Sequence, residues 1–391
     1  MGILYIAPYV DKKIKEKRGF GSYQPAGNKK ILGVLRSLEK GNNEVTVISP
    51  LLINKKQFKV FKKEEKKMSN SKLVYPSTIN TAYLNFIITF IMTFFECAKW
   101  AVKKENRIII AYNYRIETFL VAFAIKLLFR KKLVIEYEDG VQYIEEVNKV
   151  YKKIVSFIEK NTKKFIDGAI LVNNNLSLHF DDIPLLTING VFSKTDDLKN
   201  NKKSDSNEVV MYTGRLDHER GIDVFLNSIP KINSDLKNDI SFVITGYGPY
   251  KNKVTNEVKL LSDKGYKVKY TGFLSDSELL ETKKTATIFV NPQRRNEIFG
   301  DYSFPSKIFE YISFEKVIIT SDVAGIKKLN DPRMFVIYEN DSSDELATAI
   351  EKAASLSEKN TQELVSNAVT WAESFNVENL SQEINNFLKK L

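Results

Sequence analysis

The chain has 391 residues, 43% of them hydrophobic and 27% charged, with 17 Gly, 10 Pro and a single Cys. That length exceeds one ordinary core and fits two domains of roughly 200 residues each, and the composition excludes both long disorder and a disulfide-stapled scaffold. The net charge of +11 is one-sided, because residues 1–200 hold 34 Lys and Arg against 20 Asp and Glu, whereas residues 201–391 hold 25 against 28.

The first predicted strand is Gly2–Ala7, which lacks the basic start of a signal peptide, so the expected location is cytoplasmic. Next, Gly19 and Gly21 allow close backbone approach and Ser22 can cap, ahead of a predicted helix carrying Ile31, Val34, Leu35 and Leu38. A plain flexible loop explains those three residues nearly as well. Further predicted strands are Glu44–Ser49, Arg107–Ala111, Lys132–Glu136 and Gly168–Val172, which together make one doubly wound parallel sheet. Between the second and third lies a basic cluster, Lys55 to Lys67, followed by the apolar run Leu84–Phe95. Twelve residues are too few to cross a bilayer, for which about 20 are needed. The run is either a buried core helix with a weakly polar stripe at Asn85, Thr89 and Thr93, or a helix lying in a membrane interface. A basic first half favours an anionic partner such as a membrane surface or a lipid-linked phosphate, or else reflects lysine-rich codon usage. No nucleic-acid module accompanies the charge, so nucleic acid is not an expected partner. Asp139 ends the strand at Glu136, at the carboxyl edge where open α/β sheets bind ligands, and is either an acceptor-side catalytic group or a helix cap.

Residues 194–208 read as a polar linker between an N-terminal domain, 1–193, and a second series of strands in 209–364. Those strands are Val209–Tyr212, Ile240–Thr245, Val268–Thr271, Ile288–Asn291 and Val317–Ser321. Residues 365–391 read as a C-terminal helix, with Phe375, Leu380, Ile384 and Leu388 on one face, crossing back toward the N-terminal domain. After the first of these strands come Gly214, Arg215 and Arg220, two guanidiniums either side of a short turn, which suit a diphosphate. Gly246 and Gly248 follow the next strand, and Tyr270, Gly272 and Phe273 the one after. In Ser303-Phe304-Pro305-Ser306-Lys307, Pro305 fits the first turn of a helix, leaving the N–H groups of Ser306 and Lys307 as a phosphate seat. Glu310 lies one turn deeper on the face of Ser306, placed to accept from ribose hydroxyls.

These motifs, in this order, resemble the retaining glycosyltransferases of family 4, also called glycosyl transferases group 1, which build bacterial surface glycans. The resemblance implies the GT-B architecture: an α/β fold of two Rossmann-like, doubly wound domains facing a cleft, acceptor on the first and nucleotide-sugar donor on the second. It implies that Arg215 and Arg220 hold the donor diphosphate, with Arg220 replacing the family's Lys. It puts Glu310 on the nucleotide ribose, the backbone at Tyr270–Phe273 against the base, and the loop of Gly19, Gly21 and Ser22 over the donor phosphate. Tyr302 stands where the family has a Glu that contacts the transferred sugar; Glu297, five residues early, either takes over that contact or is a surface residue. The expected reaction is metal-independent transfer with retention, from a UDP-sugar in preference to a GDP-sugar, onto a glycan or polyprenyl-linked saccharide. No cofactor beyond that co-substrate is implied, and the expected location becomes cytoplasmic or peripheral on the inner face of the plasma membrane. The alternatives are a non-catalytic nucleotide-sugar-binding partner subunit, which the Tyr302 departure favours, and a sugar-nucleotide 2-epimerase, disfavoured by the presence of only His179 and His218. A Rossmann dehydrogenase would need a Gly-x-Gly-x-x-Gly after the first strand, which the sequence lacks.

Overall fold

The computed structural model describes residues 1–18, 25–51, 58–138, 148–195, 208–295, 302, 304–327, 329, 333–339 and 341–391. The chain divides into two compact units, Met1–Val191 with Phe375–Leu391, and Phe192–Ser374.

The first unit is built on strands β1 (Gly2–Ile6), β2 (Glu44–Ile48), β3 (Val60–Phe61), β4 (Glu64–Met68), β5 (Ser71–Tyr75), β6 (Thr78–Ile79), β7 (Asn106–Tyr112), β8 (Lys132–Tyr137), β9 (Gly168–Leu171) and β10 (Leu185–Thr187). Eight of them form one sheet in the order β10-β9-β8-β7-β1-β2-β5-β4, parallel throughout except for β4 at the edge. Parallel strands are covered on both faces and so read as unbroken apolar runs. The expected strands are all present, together with β3 to β6 and β10, which were not expected. The chain reverses direction across the sheet between β1 and β7, the kind of switch point at whose carboxyl ends open α/β sheets bind ligands.

The second unit carries β11 (Glu208–Arg215), β12 (Ile240–Tyr247), β13 (Lys267–Tyr270), β14 (Ile288–Asn291), β15 (Val317–Ser321) and β16 (Val336–Tyr338). Their order, β13-β12-β11-β14-β15-β16, is all parallel and matches the doubly wound dinucleotide-binding pattern 3-2-1-4-5-6. Each unit has its own apolar core.

Three expectations change. The C-terminal segment is not one helix but two, Glu358–Glu373 and Val377–Leu388, with the division between the units falling at the break. Asn376 caps the second by accepting from Asn379 N at 2.8 Å, and Leu380, Ile384, Phe387 and Leu388 of that helix enter the first unit's core. The basic cluster is partly neutralised within the fold: Lys63 pairs with Glu65 and Glu96, Lys66 pairs with Asp11, and Lys55 and Lys56 lie outside the described residues. Finally, the apolar run belongs to a 20-residue helix, Ala82–Ala101, that is turned inside out. Asn85, Thr89 and Thr93 are buried, while Leu84, Ile87, Ile91 and Phe95 are exposed.

Candidate functional site

The loops at the carboxyl ends of β11 and β14, where the second sheet reverses direction, converge. Gly221 (φ +66°) begins the helix Ile222–Ser228, and a Cβ there would lie 1.8 Å from Pro292 O, so the turn after β11 rests directly on the segment after β14. Arg220 in that turn donates from a guanidinium nitrogen to Gln293 Oε1 at 2.8 Å, and its backbone N–H donates to Asp217 Oδ1 at 2.9 Å. Arg215 Nε pairs with the other Asp217 oxygen at 2.8 Å. One carboxylate therefore organises both arginines at the end of β11.

Three glycines bare the backbone across neighbouring strands. Gly214 lies opposite Gly246 in the β11–β12 register, and Gly246 N donates to Gly272 O at 2.9 Å. Their reasons for being glycine differ. A Cβ on Gly246 (φ +139°) would fall 1.7 Å from Gly214 O, and one on Gly248 would fall 2.3 Å from Leu216 O. Both make room for protein backbone. At Gly272 (φ +75°) a Cβ would meet nothing within 4 Å, so open space lies beside it. Beside Gly272, exposed Phe273 meets exposed Tyr247 edge-on at 5.4 Å, whereas the Tyr270 hydroxyl is committed to Gly246 O at 2.9 Å.

Gly214 (φ +152°) is different again, because a Cβ there would sit 2.0 Å from Lys307 Nζ. The amine thus occupies the space over the bare backbone at the end of β11, 5.8 Å from the Tyr212 ring centroid. Among the described residues Lys307 makes no hydrogen bond or ion pair. Burial pushes its pKa down to about 7; Glu310 opposes that shift, and Lys283 and Arg220 add to it. A desolvated amine next to a second and third cation is a seat for an anion, since an added negative charge stabilises its charged form.

Glu310 is on the same short helix, Lys307–Ile312, and is held by the buried Lys283 at 2.6 Å. Lys283 had no motif to reveal it; as half of Lys283-Lys284 it reads as the basic last turn of Asp276–Lys284. The segment before Lys307 departs from expectation. The helix starts at Lys307 with exposed Ser306 as its cap, so Pro305 precedes the first turn, and Ile308 N bonds back to Pro305 O at 2.9 Å. The Phe304 ring is buried against Phe309 and Trp371.

Gly19, Gly21, Ser22, Asp139, Glu297 and Ser303 lie outside the described residues. Tyr302 is described and is half-buried. Immediately before Asp139, the carboxyl end of β8 holds a buried polar cluster that the sequence reading missed. Tyr5 donates to Glu136 through a short contact, and Lys30, which donates to Ile188 O at 2.8 Å, also pairs closely with Glu138. Burial holds the Glu136 carboxyl above its ordinary pKa despite the opposing Lys30 charge and Tyr5 hydrogen bond. Among the described residues, no three His, Cys, Asp or Glu side chains converge as metal ligands.

Comparison with known proteins gives the class first. The sucrose-phosphate synthase of Thermosynechococcus elongatus superposes with a TM-score of 0.72 at 13% identity, over 100% of this chain and 98% of that one. Anabaena HepE, in a complex with UDP, superposes at 0.67 and 15% identity over the full length of both. The fold is GT-B, two Rossmann-like α/β domains. Residues 193–371 match the family described as glycosyl transferases group 1. A Campylobacter jejuni alpha-1,4-N-acetyl-D-galactosaminyltransferase acting on a GalNAc-containing diNAcBac-PP-undecaprenol is 23% identical over 287 residues, 72% of this chain and 74% of that one. The chain thus has the GT-B fold, and its second unit is similar to the glycosyl transferases group 1.

Proposed function

We propose that the chain transfers a sugar, with retention, from a nucleotide-diphosphate sugar to a saccharide carried on a polyprenyl diphosphate, in the synthesis of a bacterial surface glycan. A UDP-sugar is favoured over a GDP-sugar, and the UDP held by Anabaena HepE supports that choice. The undecaprenyl-diphosphate acceptor named for the Campylobacter relative supports the acceptor class and makes N-acetylgalactosamine the first sugar to assay.

One observation carries the reading: Lys307 Nζ lies over the glycine-bared end of β11, in the field of Arg220, with Arg215 anchored by the same Asp217 that positions Arg220. Departure of a nucleoside diphosphate concentrates negative charge on its β-phosphate. Fixed cations aimed at that point stabilise the transition state more than the ground state. Three cations at the seat supply compensation that a divalent ion can otherwise supply, so turnover is expected without added metal. Glu310, steadied by Lys283, offers its carboxylate to ribose hydroxyls, and the exposed Phe273–Tyr247 pair beside open Gly272 offers an apolar edge to the base.

Arg215→Ala and Arg220→Ala should each lower kcat by about 10²–10³-fold, the usual cost of removing one preorganised donor to developing negative charge. Transfer and hydrolysis of a labelled UDP-sugar measure this. Near-normal turnover in both variants would remove the leaving-group role.

A further inference from the structure

We propose that the outer face of the Ala82–Ala101 helix docks on an anionic lipid bilayer. By length and composition Leu84–Ala101 could cross a membrane, but its inner face is already committed to the fold. The Thr89 hydroxyl meets Thr78 of β6 at 2.6 Å, Thr93 donates to Thr89 O at 2.6 Å, and Asn85, Cys97 and Trp100 continue the same buried stripe. The outer face is the apolar one. Leu84, Ile87, Ile91 and Phe95 follow at spacings of three, four and four, and each is between 41% and 54% exposed. This is the reverse of a surface helix in a water-facing protein. The helix Val121–Phe129 packs alongside and adds exposed Leu127 and Leu128, and Val60 of β3 and the preceding Phe58 are exposed as well.

Charge identifies the occupant. At the start of the helix, Lys59 is exposed, and its carbonyl accepts from Asn80 N at 2.9 Å; exposed Lys62 precedes Lys63, whose amine reaches Glu96 further along the helix. At its end, Lys99, Lys103 and Lys104 are exposed, and Lys131 donates to Lys103 O at 3.1 Å, which brings exposed Arg130 to the same end. From residue 82 to 104 the one carboxylate is Glu96, held by Lys63 at 2.6 Å and Lys99 at 3.0 Å; exposed Glu105 follows, outnumbered at that end by Lys99, Lys103, Lys104, Arg130 and Lys131. An apolar row bordered by exposed cations matches acyl chains beneath anionic headgroups, the arrangement of a helix lying in the plane of a bilayer surface. The proposal does not rest on the transferase reading, because docking is measured with no substrate present.

The test is flotation of the full-length chain with phosphatidylcholine vesicles, with and without phosphatidylglycerol. The wild type should float with the anionic vesicles. Ile87→Asp with Ile91→Asp should weaken that partition by about tenfold or more, because two apolar contacts are lost and two charges face the lipid. Lys103→Glu with Lys104→Glu should weaken it comparably and reduce its dependence on salt, each basic residue contributing about fivefold. In an Ile87→Trp variant, which adds a reporter without an acidic group, the new indole should be quenched by brominated lipid. Failure of the wild type to float, equal flotation with neutral vesicles, or an unquenched Trp would overturn the proposal. A wild-type dimer that Ile87→Asp with Ile91→Asp dissociates, in a chain that binds no vesicles, would assign the face to a second copy instead.

Discussion

The amine of Lys307 lies at the proposed donor seat, and its lowered pKa predicts a pH dependence with a definite sign. Burial lowers its pKa to about 7, so in the empty site it is charged below that pH and neutral above it. A bound diphosphate favours the charged form and raises the pKa, so above pH 7 binding must take up a proton. Affinity for UDP should therefore fall between pH 7 and pH 9, by up to about tenfold per pH unit, while Lys307→Met should show weak and nearly pH-independent binding across that range. Calorimetry in buffers of different ionisation enthalpy measures the proton directly, approaching one per UDP in the wild type at the upper end of the range. A flat wild-type profile would remove Lys307 from the seat. The positions of Lys307 and Glu310 were legible in the sequence because both lie in one motif. The partner of Glu310 was not, because Lys283 reaches it from a helix 27 residues earlier and side-chain pairing at that separation leaves no local pattern.

At the scale of elements, legibility followed burial. β1, β2, β7, β8 and β9 are covered on both faces and stand out as apolar runs, whereas β4, Glu64–Met68, is an edge strand in which four of the five residues are charged. The Ala82–Ala101 helix was ambiguous for the opposite reason, since its weakly polar stripe of Asn85, Thr89 and Thr93 reads as the solvent side, whereas the fold buries that stripe and exposes Leu84, Ile87, Ile91 and Phe95. The C-terminal helix was legible in its contacts but not in its start: the spacing of Leu380, Ile384 and Leu388 marks a buried face, but no glycine or proline announces the break at Ser374–Asn376. That helix is closely fitted to its site, since a Cβ on Gly41 would lie 2.1 Å from the Asn385 amide and one on Gly168 would lie 2.9 Å from the Phe387 ring. Ile384 is fully buried in the first unit's core, so Ile384→Ala should destabilise that unit by about 2–5 kcal/mol, the usual cost of truncating a core aliphatic. Urea unfolding followed by fluorescence reads the change as a lower midpoint. A shift below about 0.5 kcal/mol, typical of surface substitutions, would place the helix outside the core.

The whole molecule is asymmetric in how its chain is used. The second unit is a single stretch, Phe192–Ser374, with all six strands of its sheet and its own core, whereas the first must recover Phe375–Leu391 from the far end of the chain. The two units should therefore behave differently when separated. A fragment of residues 192–374 should fold alone, melt cooperatively and bind UDP, because Arg215, Arg220, Lys307, Lys283 and Glu310 are all within it. At 100 times its dissociation constant UDP should stabilise the fragment by about 2.7 kcal/mol, a rise of roughly 5–11 °C in melting temperature for a domain of this size. A fragment of residues 1–191 lacks Leu380, Ile384, Phe387 and Leu388, four buried side chains worth about 1.5–3 kcal/mol each, a sum comparable to the whole stability of a domain. It should aggregate or remain partly unfolded by circular dichroism, and a peptide of residues 375–391 supplied during refolding should restore it. If instead 1–191 folds unaided, the terminal helix is a dispensable strap; if 192–374 folds but ignores UDP, the cations gathered at the end of β11 are not a sufficient seat for the nucleotide.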